Sequence, residues 1–254
     1  MPLSHAVVGV PLCAFPPALP ATAGHLQGFA APTAAPRLIP MPHTTLWLIR
    51  HGETDWNRAR RFQGHTDTPL NRIGLQQAEQ LALSLALHHQ RERFAALYAS
   101  DLARATQTAA AVARQTGLAL ATDAALREQH YGVLARLTPE EMAIQQPEAY
   151  ARWIARDADY VLPGGESRNG FSVRVLAALK AIANRHPASQ VLVVAHGGVL
   201  DCAYRAATGQ GMAPTRLHDL LNASINRVRF VGDSLDVVAW GDVSHLQVET
   251  QDEV

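Results

Sequence analysis

Cysteine is scarce in this chain, with only Cys13 and Cys202 among 254 residues. Two thiols cannot build a disulfide framework or, by themselves, a cysteine-type zinc site, and a reducing compartment fits that usage. A surplus of either charge is also missing, since 22 Lys and Arg stand against 22 Asp and Glu. General binders of nucleic acid or anionic membrane carry a basic excess, so neither partner is expected. No apolar run approaches the roughly 20 residues of a membrane span. G-x-x-x-x-G-K-[ST] and G-x-G-x-x-G are both absent, which leaves ATP and dinucleotide binding without a phosphate loop. What is present is a core-forming composition, 48% apolar and 17% charged, near the upper size for one core.

Proline divides the chain. Nine of the 15 prolines precede residue 44, and Arg37 is the one formally charged side chain before Met41. Alternating Pro and Ala cannot hold a helix and offers little to pack. The segment also lacks the basic start and unbroken apolar stretch of a signal peptide. Residues 1–43 are therefore expected to form a mobile tail, with Met41 an alternative start, and residues 44–254 a single domain in the cytoplasm.

From residue 44 the pattern alternates. TTLWLI (44–49), FAALYAS (94–100), LALATD (118–123) and QVLVVA (190–195) read as strands. Residues 73–90 repeat apolar side chains at helical spacing through Leu75, Ala78, Leu81, Ala82 and Leu85. A helix over 102–117 closes at Gly117, two short helices fill 138–157 with Pro147 opening the second, and Ser167 caps a helix that stops before Pro187. A Gly-Gly turn and a helix, VLDCAYRAATG, follow the 190–195 strand, and the end reads as a hairpin turning at Gly232-Asp233. The predicted fold class is α/β: three layers, with a mostly parallel central sheet covered on both faces.

The two strongest strands end alike, in Arg50-His51-Gly52 and His196-Gly197-Gly198. Open parallel sheets bind ligands at the carboxyl ends of their strands, where helix N-termini offer free N–H groups. Glycine after each histidine lets backbone approach a ligand closely. A single such junction could be accidental, but two, with an arginine beside the first, point to a site.

The block LIRHGETDWNRARRFQGHTDTPLNRIGLQQA (48–78) is followed by ASDLARATQTA (99–109), ALREQHYG (125–132), PGGES (163–167) and VLVVAHGGVL (191–200). In this order and spacing they resemble the histidine phosphatase superfamily, the phosphoglycerate mutase-like proteins, over about residues 44–240. The resemblance implies that fold and phosphoryl transfer through a phosphohistidine, with His51 as nucleophile. It makes Arg50 and Arg104 fixed forks for the phosphoryl oxygens, and His196 a further donor to them. It places Asn57, Gln63 and Gly64 on the substrate as neutral donors, with Gly197 beside them, and makes Glu128 the proton donor to the leaving oxygen. Adjacent guanidinium charge lowers an imidazole pKa, which keeps a nucleophilic histidine neutral.

Plainer roles compete. Arg104 sits among alanines on its helix, where a solvated arginine is the ordinary reading; Asn57 can cap a turn; a lone Glu128 is usually an ion-pair partner. His88, His89 and His186 read as helix-end or surface residues, His5 and His25 belong to the tail, and His130 is a candidate for the pocket wall. The tetrapeptide GDSL (232–235) lies at a hairpin tip, not at the strand-end turn a nucleophilic serine needs. Two arginines beside His51 would repel a cation, so no metal and no other cofactor is expected. Mutases of the family this chain resembles carry an extra segment between the Glu128 and His196 blocks; the short interval here implies, by that resemblance, a more open site and water as acceptor. The expected function is thus a phosphomonoesterase acting on a phosphorylated small molecule. A phosphoglycerate mutase-type enzyme is the alternative, and a non-catalytic phosphate-recognising protein the second. Arg136 is a candidate for a second anionic group of the substrate or else an exposed charge. A homodimer is left open.

Overall fold

The computed structural model describes residues 43–248, Thr250 and Asp252. The expected tail, with Cys13, His5, His25 and Met41, therefore lies outside the described residues apart from His43. A single sheet carries six strands: β1 (Thr44–Arg50), β2 (Phe94–Ala99), β3 (Leu120–Thr122), β4 (Gln190–Ala195), β5 (Ile225–Val231) and β6 (Ser234–Asp242), in the order β3-β2-β4-β1-β5-β6. The first four in that order run parallel, while β5 lies antiparallel to both β1 and β6.

Apolar side chains on the central strands face both ways. Leu46 and Leu48 of β1, with Val191 and Val193 of β4, pack under α6 (Arg168–Arg185) and α7 (Gly197–Ala207). Trp47 and Ile49, with Leu192 and Val194, pack under α2 (Arg72–Arg91) and α3 (Ala103–Thr116). Burial on both faces is why these strands are nearly continuous apolar runs. A short helix α1 (Asp55–Arg58) follows β1, and α4 (Pro139–Gln145) and α5 (Pro147–Ile154) form a separate small cluster in which Tyr131, Leu134, Met142 and Leu162 are buried.

Local signals explain the boundaries. Ser167 Oγ accepts from Gly170 N (3.0 Å), Thr138 and Glu141 make a reciprocal capping box, and Gly117 closes α3 in the left-handed region (φ 74°). Two expectations change. Leu75 is half exposed, and the position buried instead is Gln77, whose Oε1 accepts from Glu53 N (2.8 Å). Gly197 and Gly198 form no separate turn but are the first residues of α7. Among the described residues, no helix is long and apolar enough to cross a membrane.

The connection after β1 runs through α2 on one face, and that after β4 through α7 on the other. The carboxyl ends of these adjacent strands therefore open a crevice, the point where an open sheet takes its ligand.

Candidate active site

His51 and His196 each follow the last residue of β1 and β4, at the paired positions Arg50 and Ala195. Their rings meet edge to face with centroids 5.3 Å apart. His51 is held from three directions: its N donates to Ala195 O (3.0 Å), its carbonyl accepts from Asn222 Nδ2 (3.0 Å), and Gly52 N donates to Thr108 Oγ1 (3.0 Å). The loop presses on α2 as well. A Cβ on Gly52 would lie 2.5 Å from Gly74 O, and one on Gly74 would lie 2.1 Å from Glu53 O. No side chain fits at either position.

The His51 ring has one defined tautomer. Nδ1 lies 2.7 Å from the Gly52 carbonyl, so Nδ1 carries the proton and Nε2 the lone pair. Burial keeps the ring's pKa well below the ordinary imidazole value, with Arg104 the next cause and Arg50 after it. His196 is lowered in the same way, by burial first and then by Arg104, His51 and Arg50. It is fully buried, and among the described residues neither of its ring nitrogens has a hydrogen-bond partner.

The guanidinium groups are pinned by backbone. Arg104, 1% exposed, donates to Gly64 O (2.8 Å) and Thr66 O (3.0 Å). Arg50, fully buried, donates to Leu220 O. His51, Asn57, Gln63, Gly64, Arg104 and Glu128 line one pocket, together with Arg61, Phe62 and Tyr131. Arg50 and His196 are fully buried and do not line that pocket, although the His196 ring lies against the His51 ring, and Gly197 is buried at the start of α7. Asn57 does cap a turn, its Oδ1 accepting from Thr54 N (3.0 Å), which leaves the Nδ2 end as the donor available to a ligand.

Glu128 is fixed at both oxygens. Oε1 accepts from Gln129 N (2.7 Å) and Oε2 from Gly198 N (3.0 Å). A Cβ on Gly198 would lie 2.2 Å from Glu128 Oε1, which explains the second glycine of the His-Gly-Gly junction. The segment carrying Glu128 is held in turn by Arg174, which donates to the carbonyls of Ala125 (2.9 Å) and Arg127 (3.1 Å) and pairs with Glu166 (2.6 Å). Glu166 Oε1 accepts from His130 N (2.8 Å), and His65 Nε2 donates to Glu128 O (2.9 Å). His130 does not line the pocket, and Arg136 is exposed. Among the described residues, no group of three or more His, Cys, Asp and Glu is placed to hold a metal ion.

A sequence model of the histidine phosphatase superfamily (branch 1) matches residues 46–243. The chain belongs to this superfamily. It is 40% identical over 205 residues to the metal-independent phosphoserine phosphatase of Arabidopsis thaliana, covering 80% of this chain and 83% of that one. It is 38% identical over 203 residues to phosphoglycerate mutase-like protein 4 of the same plant, covering 79% and 86%. A solved mycobacterial glucosyl-3-phosphoglycerate phosphatase, complexed with VO3, superposes with a TM-score of 0.66 at 29% identity, over 78% of this chain and 98% of that one.

Sequence reasoning assigned no role to Gly198, Glu166, Arg174 or Asn222 in this histidine phosphatase. The first two lie inside matched blocks, so position was a usable signal. Arg174 and Asn222 act through backbone carbonyls, and nothing in their sequence context announces that.

Two neutral buried imidazoles have a consequence for stability. Below pH ~6.5 the unfolded chain binds protons at His51 and His196 that the folded chain does not bind. The stabilisation is complete above that pH and is lost as pH falls through it toward the depressed folded-state values. Each group contributes up to about 1.4 kcal/mol per pH unit, and His65 and His245, also lowered by burial, add to the slope. Urea denaturation across this range should show the decline, and His196→Gln should flatten it by about one proton. An unchanged slope in that variant would show that His196 is not buried in the neutral form.

Proposed function

We propose that this chain is a phosphomonoesterase that hydrolyses small phosphorylated metabolites through a phosphohistidine at His51. The observation carrying this reading is the state of His51: a buried neutral ring with its Nδ1 proton committed to Gly52 O, in a pocket shared with Arg104 and Glu128.

In the first step Nε2 attacks phosphorus as the ester oxygen leaves, taking a proton from the Glu128 carboxyl group. In the second, water attacks the phosphohistidine while the Glu128 carboxylate accepts its proton, releasing phosphate and restoring Nε2. Arg50 and Arg104 stabilise charge on the transferring oxygens, and His196 donates to them once a phosphoryl group is present. The carbonyl contacts of the two arginines fix their positions in advance, so little reorganisation accompanies the transfer. The backbone donors on Glu128 fix the carboxyl group in place for the proton it transfers.

The names of the relatives support a phosphatase and also keep a mutase in contention. One assay addresses both. The chain is incubated with nitrophenyl phosphate and a panel of phosphorylated metabolites in EDTA, and both inorganic phosphate and isomerised ester are measured. Phosphate release should persist in the chelator, because the charged groups around the reacting atoms are arginine, histidine and glutamate. Activity that disappears in EDTA and returns with magnesium or zinc would overturn the metal-independent reading. Isomerised ester without free phosphate would establish the mutase.

A further inference from the structure

Beside the phosphoryl pocket lies a second cleft, of about 90 Å³. Tyr131 lines both. The neighbours of the proton donor, Gln129 and Gly198, also line the second cleft, whose charged wall is made by Arg156, Arg168 and Arg216 with one carboxylate, Asp201.

The charges there do not balance. Arg205, buried behind the cleft, pairs with Asp201 (2.8 Å), and Asp201 is also held by His218 (3.1 Å). Arg216 pairs with Asp252 (3.0 Å). Among the described residues, Arg168 meets the Trp153 carbonyl (3.0 Å) and ring (3.7 Å to its centroid) but no carboxylate. Arg156 likewise meets the carbonyls of Ala213 (2.8 Å) and Met212 (3.2 Å). Burial, and secondarily the charge of Arg156, push the Arg168 pKa down to about 10, and the nearby Asp201 carboxylate, already held by Arg205 and His218, offsets this only in part. Buried cations without counter-charge are costly, and guanidinium forks match carboxylate and phosphate oxygens.

Position indicates where the compensating anion belongs. Glu128 marks the leaving oxygen, so the rest of the departing alcohol must extend past the groups flanking Glu128. Those groups, Gln129 and Gly198, open into the arginine-lined cleft. We propose that Arg156, Arg168 and Arg216 bind a second anionic group of the substrate, a carboxylate or second phosphate, while its scissile phosphoryl group lies against His51. This inference rests on the phosphatase reading.

The test reads binding in a chain that cannot turn over. In the His51→Ala background, calorimetry compares 3-phosphoglycerate with glycerol 3-phosphate, esters that differ by a carboxylate in place of a hydroxymethyl group. The carboxylate ester should bind about tenfold more tightly or better, and Arg168→Gln or Arg156→Gln should erase most of that preference. Arg216→Gln, at the rim, provides the same readout if the buried Arg168 variant fails to fold. Equal affinity for the two esters, or a preference that survives all three substitutions, would overturn the proposal. So would Arg168-dependent binding of free succinate without any preference between the esters, because the cleft would then serve a separate anion. Nitrophenyl phosphate turnover by the unsubstituted chain is followed in parallel. Its absence would refute the phosphatase reading, whereas the ester preference is measured without catalysis.

Discussion

His51→Ala should eliminate phosphate release and phosphoenzyme formation together, a loss on the order of 10⁴-fold or more. Among the described residues, neither His196 nor Cys202 is placed to substitute. The His196 ring is fully buried and does not line the pocket that His51 lines, and burial holds the Cys202 thiol far above its ordinary pKa. Radiolabelled substrate, rapid quench and peptide mapping should place the label at His51 as a phosphoramidate, labile in acid and persistent in alkali. His196→Ala should still form that intermediate, while slowing all esters by a similar factor, because it acts on oxygens common to every substrate. Label mapping to His196, or label lost in alkali, would overturn the assignment of roles.

Glu128→Gln should discriminate between leaving groups. Alkyl phosphates need the proton and should slow by about 10²–10⁴-fold, whereas nitrophenolate leaves unaided and should slow far less. With nitrophenyl phosphate the variant should accumulate phosphohistidine, because activation of water is also impaired. The isosteric amide carries a structural cost. Glu128 accepts one backbone N–H at each oxygen, and an amide NH2 would meet one of these donors head on. That mismatch costs about 1–3 kcal/mol, so the variant's urea midpoint must be measured beside its kinetics. A uniform loss across leaving groups would show that Glu128 serves only to hold α7 in place.

The strands that carry the histidines were legible because a doubly buried strand must be a continuous apolar run, and β1 and β4 are such runs. The caps at Ser167, Pro147 and Gly117 were legible because they depend on neighbours within a few residues. Non-local partners were not. Arg104, flanked by alanines, reads as a solvated helix arginine until the 64–66 loop, some forty residues earlier in the chain, supplies its carbonyl acceptors. Gln77 displaces Leu75 from the buried face for a similar reason, since it satisfies a backbone N–H donated by the loop after β1. The resemblance identified Glu128, yet residue type gave no sign of the Arg174–Glu166 pair that supports its segment.

Pairing of Arg50 with Ala195 makes the sheet itself a ruler for the site. Parallel strands stand about 4.8 Å apart whatever side chains they carry, so the separation of the two histidines is a property of the backbone. Drift in the loops can neither widen nor narrow it. The spacing of the two histidines is thus independent of which side chains line the rest of the crevice. The second cleft, by contrast, is lined by side chains from loops and helices such as Arg156, Arg168 and Arg216, so on the reading proposed above a changed arginine there would alter the guest while leaving the histidine spacing as it is.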